Sequence, residues 1–251
     1  MGRVPDHTAT TTRALADVDG LGGFFAIRTG PADSVDPSWR PLTALTGDVG
    51  ADGPLARRVG EVAVQLGDAP RRVAASLLSL SLTARLVSLV LAPVALQGVL
   101  PRLDHARLHW RPWSGGPVPL WVEAPEGEVV GAPDDPATAA RVADELARTH
   151  LAPLLEAVGR VASVPPRTLW GNAASSVGGA VRVLLMERPA RAGAVLALGR
   201  GVVGTAPLDG LGGFVAEPSH PTGVGFLRRS CCLFYRVPGG GYCGDCVLTH
   251  R

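Results

Sequence analysis

Apolar residues recur at helical spacing through much of this chain. Leu55, Val59, Val62 and Leu66 fall three or four positions apart, with Pro54 at a helix start and Gly67 at a stop, so a helix is expected from Pro54 to Gln65. Asp68 and Pro70 open the next element, a helix from Arg71 to near Gly98. From Val73 to Leu100 it is almost wholly apolar, and Arg85 is its single charge. That run is long enough to cross a bilayer. Arg85 near its middle would cost about 2.5 to 3.5 kcal/mol on insertion, and Ser76, Ser79, Ser81, Thr83, Ser88 and Pro93 interrupt it, so a buried core helix is predicted.

Other patterns are shorter. Leu108 to Trp113 and Val118 to Glu123 read as two strands about the Ser114-Gly115-Gly116 turn, with proline confining them to an edge. The three tryptophans there, Trp110, Trp113 and Trp121, suit cross-strand packing better than the lining of a ligand pocket. Asp134-Asp135-Pro136 is a helix-capping signal, followed by amphipathic sequence to Thr149 and a further turn from Pro153 to Val161. Pro165-Pro166 starts a helix through Trp170, Val177, Val181 and Leu185, whereas 190–203 fits helix or strand. The fold expected is α+β: a predominantly helical body with a small antiparallel β element and a C-terminal coil-rich segment. Its divisions are a poorly patterned lead-in at 1–54, a helical body at 55–225 with a hairpin near 108–123, and a C-terminal segment at 226–251. Residues 201–225 read as a Gly/Pro-rich connector.

With 251 residues, 46% of them hydrophobic, the chain can bury a large core. Its net charge of +2 gives no electrostatic footprint for nucleic acid. The N-terminus lacks the apolar run of a secretory signal, and a cytoplasmic protein without a transmembrane segment is expected. There is no P-loop or dinucleotide fingerprint, and the six histidines form no HExxH or HxH pair; His250, four positions after Cys246, is the one nearest the cysteines.

The chemistry is concentrated at the end. All four cysteines, Cys231, Cys232, Cys243 and Cys246, lie in the last 21 residues in the pattern CC-x10-CxxC. Disulfides would staple only the tail of a chain able to bury its own core. Structural zinc takes four thiolates, but its chelating turns use C-x2-4-C in each half, and adjacent cysteines in extended backbone point to opposite faces. A [2Fe-2S] cluster takes two thiolates per iron and tolerates wider spacing. Charge gathers here too: 226–251 hold Arg228, Arg229, Arg236 and Arg251 against Asp245 alone.

The block Phe226-Leu-Arg-Arg-Ser-Cys-Cys-Leu-Phe-Tyr-Arg-Val-Pro-Gly-Gly-Gly-Tyr-Cys-Gly-Asp-Cys246 resembles the C-terminal signature of the FhuF-like ferric iron reductases, and Leu169-Trp170-Gly171-Asn172 and the apolar helix from Arg71 are similar to weaker family landmarks. The resemblance implies a siderophore-iron reductase with a [2Fe-2S] cofactor held by Cys231, Cys232, Cys243 and Cys246. Arg228, Arg229 and Arg236 would tune its potential or form a docking face, and no catalytic residue beyond the cluster is implied. Its partners would be a ferric siderophore and an external electron donor, ferredoxin-like or a flavin- or nicotinamide-dependent reductase, with peripheral association with an uptake system. Two other readings stay open: a zinc-stabilised siderophore-related binding protein, and a [2Fe-2S] electron carrier or redox sensor.

Overall fold

The computed structural model describes residues 7–31 and 36–249. Its first helix, α1 (His7–Asp19), buries Thr11, Ala14, Leu15 and Val18, one stripe at helical spacing. The sequence suggested only a lead-in here, because a threonine-rich run has weak helix propensity. Packing against the strands around Leu100 and Gly127 outweighs that preference. After β1 (Arg28–Thr29) and β2 (Arg40–Pro41), α2 (Leu42–Gly47) adds Leu42 and Leu45 to the core. Leu15, Val18, Leu21, Phe25, Leu42 and Leu45 thus belong to the same core as the helices that follow.

Helix α3 runs Pro54–Gln65, and α4 runs Arg71–Gln97 to a left-handed cap at Gly98 (φ 68°), both as the periodicity predicts. Most of α4 is buried inside the fold. Among the described residues no carboxylate is within ion-pair distance of Arg85: its guanidinium donates to the carbonyls of Val118 (3.0 Å), Phe24 (2.8 Å) and Ala26, and burial lowers its pKa to about 10, partly offset by the charge of Asp19. The charge that argued against a membrane span therefore pins residues 24–26 and 118 to the central helix.

Strands β3 (Val99–Arg102) and β6 (Glu126–Val129) pair antiparallel, and between them β4 (His109–Trp110) and β5 (Leu120–Val122) form the expected hairpin, Trp110 opposite Leu120. β1 joins β5 in parallel and β2 joins β4 antiparallel, giving a small sheet of order β1-β5-β4-β2, so the hairpin is central and not at the edge its prolines suggested: Pro112, Pro117 and Pro119 fall outside the paired residues. Its tryptophans pack on one another: Trp121 lies 6.0 Å from Trp39 and Trp110 5.9 Å from Trp113.

Asp135 caps α5 (Pro136–Glu145) by accepting from the Ala137 N–H at 2.9 Å. The helix continues through a π-helical turn, Leu146–Leu151, into α6 (Ala152–Ala162). That turn seats His150 fully buried, 5.5 Å between ring centroids from buried His105, a meeting no sequence motif announces. α7 (Pro166–Glu187) crosses α4 in the largest helix contact of the molecule, and 192–203 resolve as helix, α8 (Ala192–Val203). The stretch read as a connector holds a hairpin, β7 (Gly212–Ala216) with β8 (Val224–Arg228). β8 lies on α7 because Gly178 leaves room for Phe226: a methyl group there would fall 2.5 Å from its ring.

Candidate metal centre

β8 delivers the cysteine segment. The Arg229 N–H bonds the Leu211 carbonyl (2.8 Å) and the Arg228 N–H bonds the Asp245 carbonyl (3.2 Å), so the two ends of the segment meet. Just after the adjacent cysteines, Leu233 takes a left-handed conformation (φ 71°) and leads into a 3-10 turn, Phe234–Arg236. The backbone thus leaves the extended state immediately beyond the adjacent cysteines.

All four cysteines are free thiols. Cys232 and Cys246 are buried, whereas Cys231 and Cys243 are half-buried. Two of the sulfurs receive a backbone N–H from two residues on: Leu233 donates to Cys231 at 3.3 Å and Leu248 to Cys246 at 3.4 Å. Such donors stabilise thiolate over thiol. The glycine turn does not supply them; the Gly240 N–H bonds the Val237 carbonyl instead. Interaction with the Cys243 thiol, helped by the Phe234 N–H and the charge of Arg228, lowers Cys232 to about 6 against the cost of burial, and the same interaction pushes Cys243 upward. Among the described residues, no three His, Cys, Asp or Glu side chains converge on a point suited to a single metal ion.

The segment is coil-rich, as expected, but it is built into the helical body by a buried polar network. The Ser76 hydroxyl on α4 donates to the Cys232 carbonyl (2.8 Å). The Asn172 amide on α7 donates to the Ser76 carbonyl and the Ser79 hydroxyl, both at 2.8 Å, and its oxygen accepts from Arg228 at 2.6 Å. One helical turn on, the Ser175 hydroxyl donates to Asp245 (2.6 Å), whose other carboxylate oxygen pairs with Arg182 at 3.1 Å. Gly171 makes the approach possible, since a Cβ there would sit 1.9 Å from the Ser230 hydroxyl. The Trp170-Gly171-Asn172 stretch thus has a physical role as a seat for the cysteine segment.

The three arginines separate. Arg228 is 1% exposed and donates to the Ser230 carbonyl (2.7 Å) as well as to Asn172, which takes it off any docking face. Among the described residues no carboxylate lies within ion-pair distance of it. A buried cation without a carboxylate calls for another anion, and its field reaches Cys232 and Cys243. Arg229 and Arg236 are exposed, Arg236 bonded to the Tyr235 hydroxyl at 2.9 Å and near enough to Cys231 to feel its charge. Tyr235 and Tyr242 are exposed as well. His250 lies outside the described residues.

Four free thiols, two of them taking backbone N–H donors, beside a buried guanidinium with no carboxylate partner among the described residues, are a donor set whose chemistry suits an anionic thiolate-bound centre such as an iron–sulfur cluster. Residues 228–248 match the family model of the FhuF 2Fe-2S C-terminal domain, so the segment is an FhuF-type domain and its cofactor is a [2Fe-2S] cluster. No curated protein matches the chain. The cysteines and basic residues were legible in the sequence. The supports Ser76, Ser79, Ser175 and Arg182 were not, because single serines along apolar helices carry no pattern; the signal available was their alignment at three- and four-residue spacing.

Proposed function

We propose that the protein is a ferric-siderophore reductase, an oxidoreductase that adds one electron to chelated Fe(III) and releases Fe(II). The observation that carries this reading is the seating of the cysteines: Cys231 and Cys246 each take a backbone N–H, the charge of buried Arg228 reaches Cys232 and Cys243, and Arg229 and Arg236 are exposed on the same segment. Cys231, Cys232, Cys243 and Cys246 would hold the [2Fe-2S] cluster, which when bound supplies a one-electron centre. Arg228 opposes the negative charge of the thiolates from inside and so favours the reduced state. Arg229 and Arg236, with Tyr235 and Tyr242, offer an exposed basic and aromatic face to an anionic ferric chelate or an acidic electron donor. Hard oxygen donors hold Fe(III) far better than Fe(II), so one electron loosens the chelate. The cytoplasm, where thiols stay reduced, suits this work, with a ferredoxin-like protein or a flavin- or nicotinamide-dependent reductase as donor and peripheral association with an uptake system.

Protein purified anaerobically should be reddish, hold two irons and two sulfides, and give an EPR signal on one-electron reduction. Reduced protein should then speed the transfer of iron from a ferric hydroxamate to an Fe(II)-specific chelator. One zinc without sulfide would overturn the cluster assignment. A normal cluster with no acceleration would leave an electron carrier.

A further inference from the structure

At the far end of α3 from the cysteine segment lies a cleft of about 190 Å³ that the reductase reading does not use. Its walls are Arg40 on β2, Arg57 and Arg58 in the first turns of α3, Glu61, and the tryptophans Trp110 and Trp113. Three guanidinium groups thus face one carboxylate, and that carboxylate is committed to Arg58 at 2.7 Å. Arg57 donates to the Asp52 carbonyl, and Arg40 is exposed; among the described residues neither has a carboxylate partner.

The buried donors here are incompletely used. Arg58 is 7% exposed and Trp110 4% exposed, yet Arg58 Nε and Trp110 Nε1 have no acceptor. An unmet buried donor costs about 1 to 3 kcal/mol, so two in one small cleft need a reason. The cleft also sits at the N-terminus of α3, a 12-residue helix whose Gly53 cap provides no side-chain acceptor and whose first residue is Pro54. The helix dipole and its free N–H groups add to the positive field. The walls are set in advance: the Arg58 guanidinium lies 4.8 Å over the Trp113 ring, which meets Trp110 edge-on.

We propose that this cleft binds a small oxyanion, the phosphate or carboxylate group of a compact ligand. Charge, unmet N–H donors and the helix terminus all ask for acceptor oxygens bearing negative charge, and fork-shaped guanidinium groups match such oxygens two at a time. The volume is below that of clefts that take drug-sized molecules, which run to at least about 300 Å³, so the ligand is no larger than inorganic phosphate or a short organic acid. The site is separate from the cysteines: Gly67 packs against Pro238, and α3 places its first turn about 18 Å further on.

The test uses the full-length cluster-loaded protein, with calorimetry and thermal melting in sodium phosphate, sodium citrate or sodium chloride at equal ionic strength. Saturable binding and a raised melting temperature with phosphate or citrate, absent with chloride, is expected. Phosphate alone would mark a phosphoryl ligand, citrate alone a carboxylate one, and either supports the site. The double variant R40A/R57A, altered at two exposed positions, should bind at least tenfold more weakly with an unchanged visible spectrum and an unchanged melting temperature in chloride. Trp110→Phe, which deletes the indole N–H, should weaken binding severalfold. No response to either anion beyond chloride, or full affinity in R40A/R57A, overturns the proposal. Neither result bears on whether the chain reduces iron, so the two readings stand or fall separately.

Discussion

The guanidinium of Arg228 donates to the side-chain oxygen of Asn172 at 2.6 Å, and both residues are fully buried. That bond joins the strand leading into the cysteines to α7, and Asn172 passes the connection to α4 through Ser76 and Ser79. Asn172→Ala would leave a buried cation short of an acceptor and a serine pair short of a donor. A loss of about 2 to 4 kcal/mol in unfolding free energy is expected by urea titration, with faster loss of visible absorption from the cluster in air.

Arg228 itself separates charge from packing. Arg228→Lys keeps the positive charge and Arg228→Gln removes it. In a redox titration followed by EPR, the Gln variant should have the lower midpoint potential of the two, with Lys nearer to wild type. Equal potentials in all three proteins would restrict Arg228 to a structural role.

Gly171 faces Ser230 too closely for a side chain. Gly171→Ala should destabilise by about 1 to 3 kcal/mol through overpacking. Adding Ser230→Ala deletes the oxygen that the new methyl group meets at 1.9 Å, so the double variant should be more stable than the sum of the single changes predicts. Chemical denaturation of the four proteins measures the coupling.

Acid should weaken the fold through the histidine pair. Burial lowers His105 to about 4, partly offset by Asp104, and lowers His150 to about 3, with His105 adding to the shift. The unfolded chain binds protons on these rings below about pH 6.5 while the folded one does not. Stability is therefore full above that pH and falls as pH drops toward 4. The slope is on the order of 1 kcal/mol per pH unit for each ring. His150→Phe should flatten the decline between pH 6 and 4, and Glu145, 3.7 Å from the His150 ring, is the carboxylate to hold constant in the comparison.

Helices α3 and α4 could be read from sequence almost to the residue, because a helix that buries one stripe or ends at a glycine writes its limits locally. The Asp135 cap and the β4–β5 hairpin were legible for the same reason. Others were not, among them α1, β7–β8 and the π-helical turn. α1 hid in threonines whose propensity opposes it, the β7–β8 hairpin hid in a Gly/Pro-rich stretch whose Gly212 leaves room for the Phe226 ring, and the π-helical turn at His150 has no sequence signal.

The chain by itself determined the chemistry of the centre: four soft ligands in CC-x10-CxxC, with excess arginine around them, are fixed by residue identity and need no fold to be seen. Tertiary structure decided what those residues do to one another. Only packing against α4 and α7 buries Arg228 and leaves Arg229 exposed. Only the backbone turn at Leu233 brings an N–H group onto the Cys231 sulfur. Exposure and hydrogen-bond direction depend on contacts between residues as far apart as Ser76 and Cys232, and such contacts leave no local pattern in the sequence.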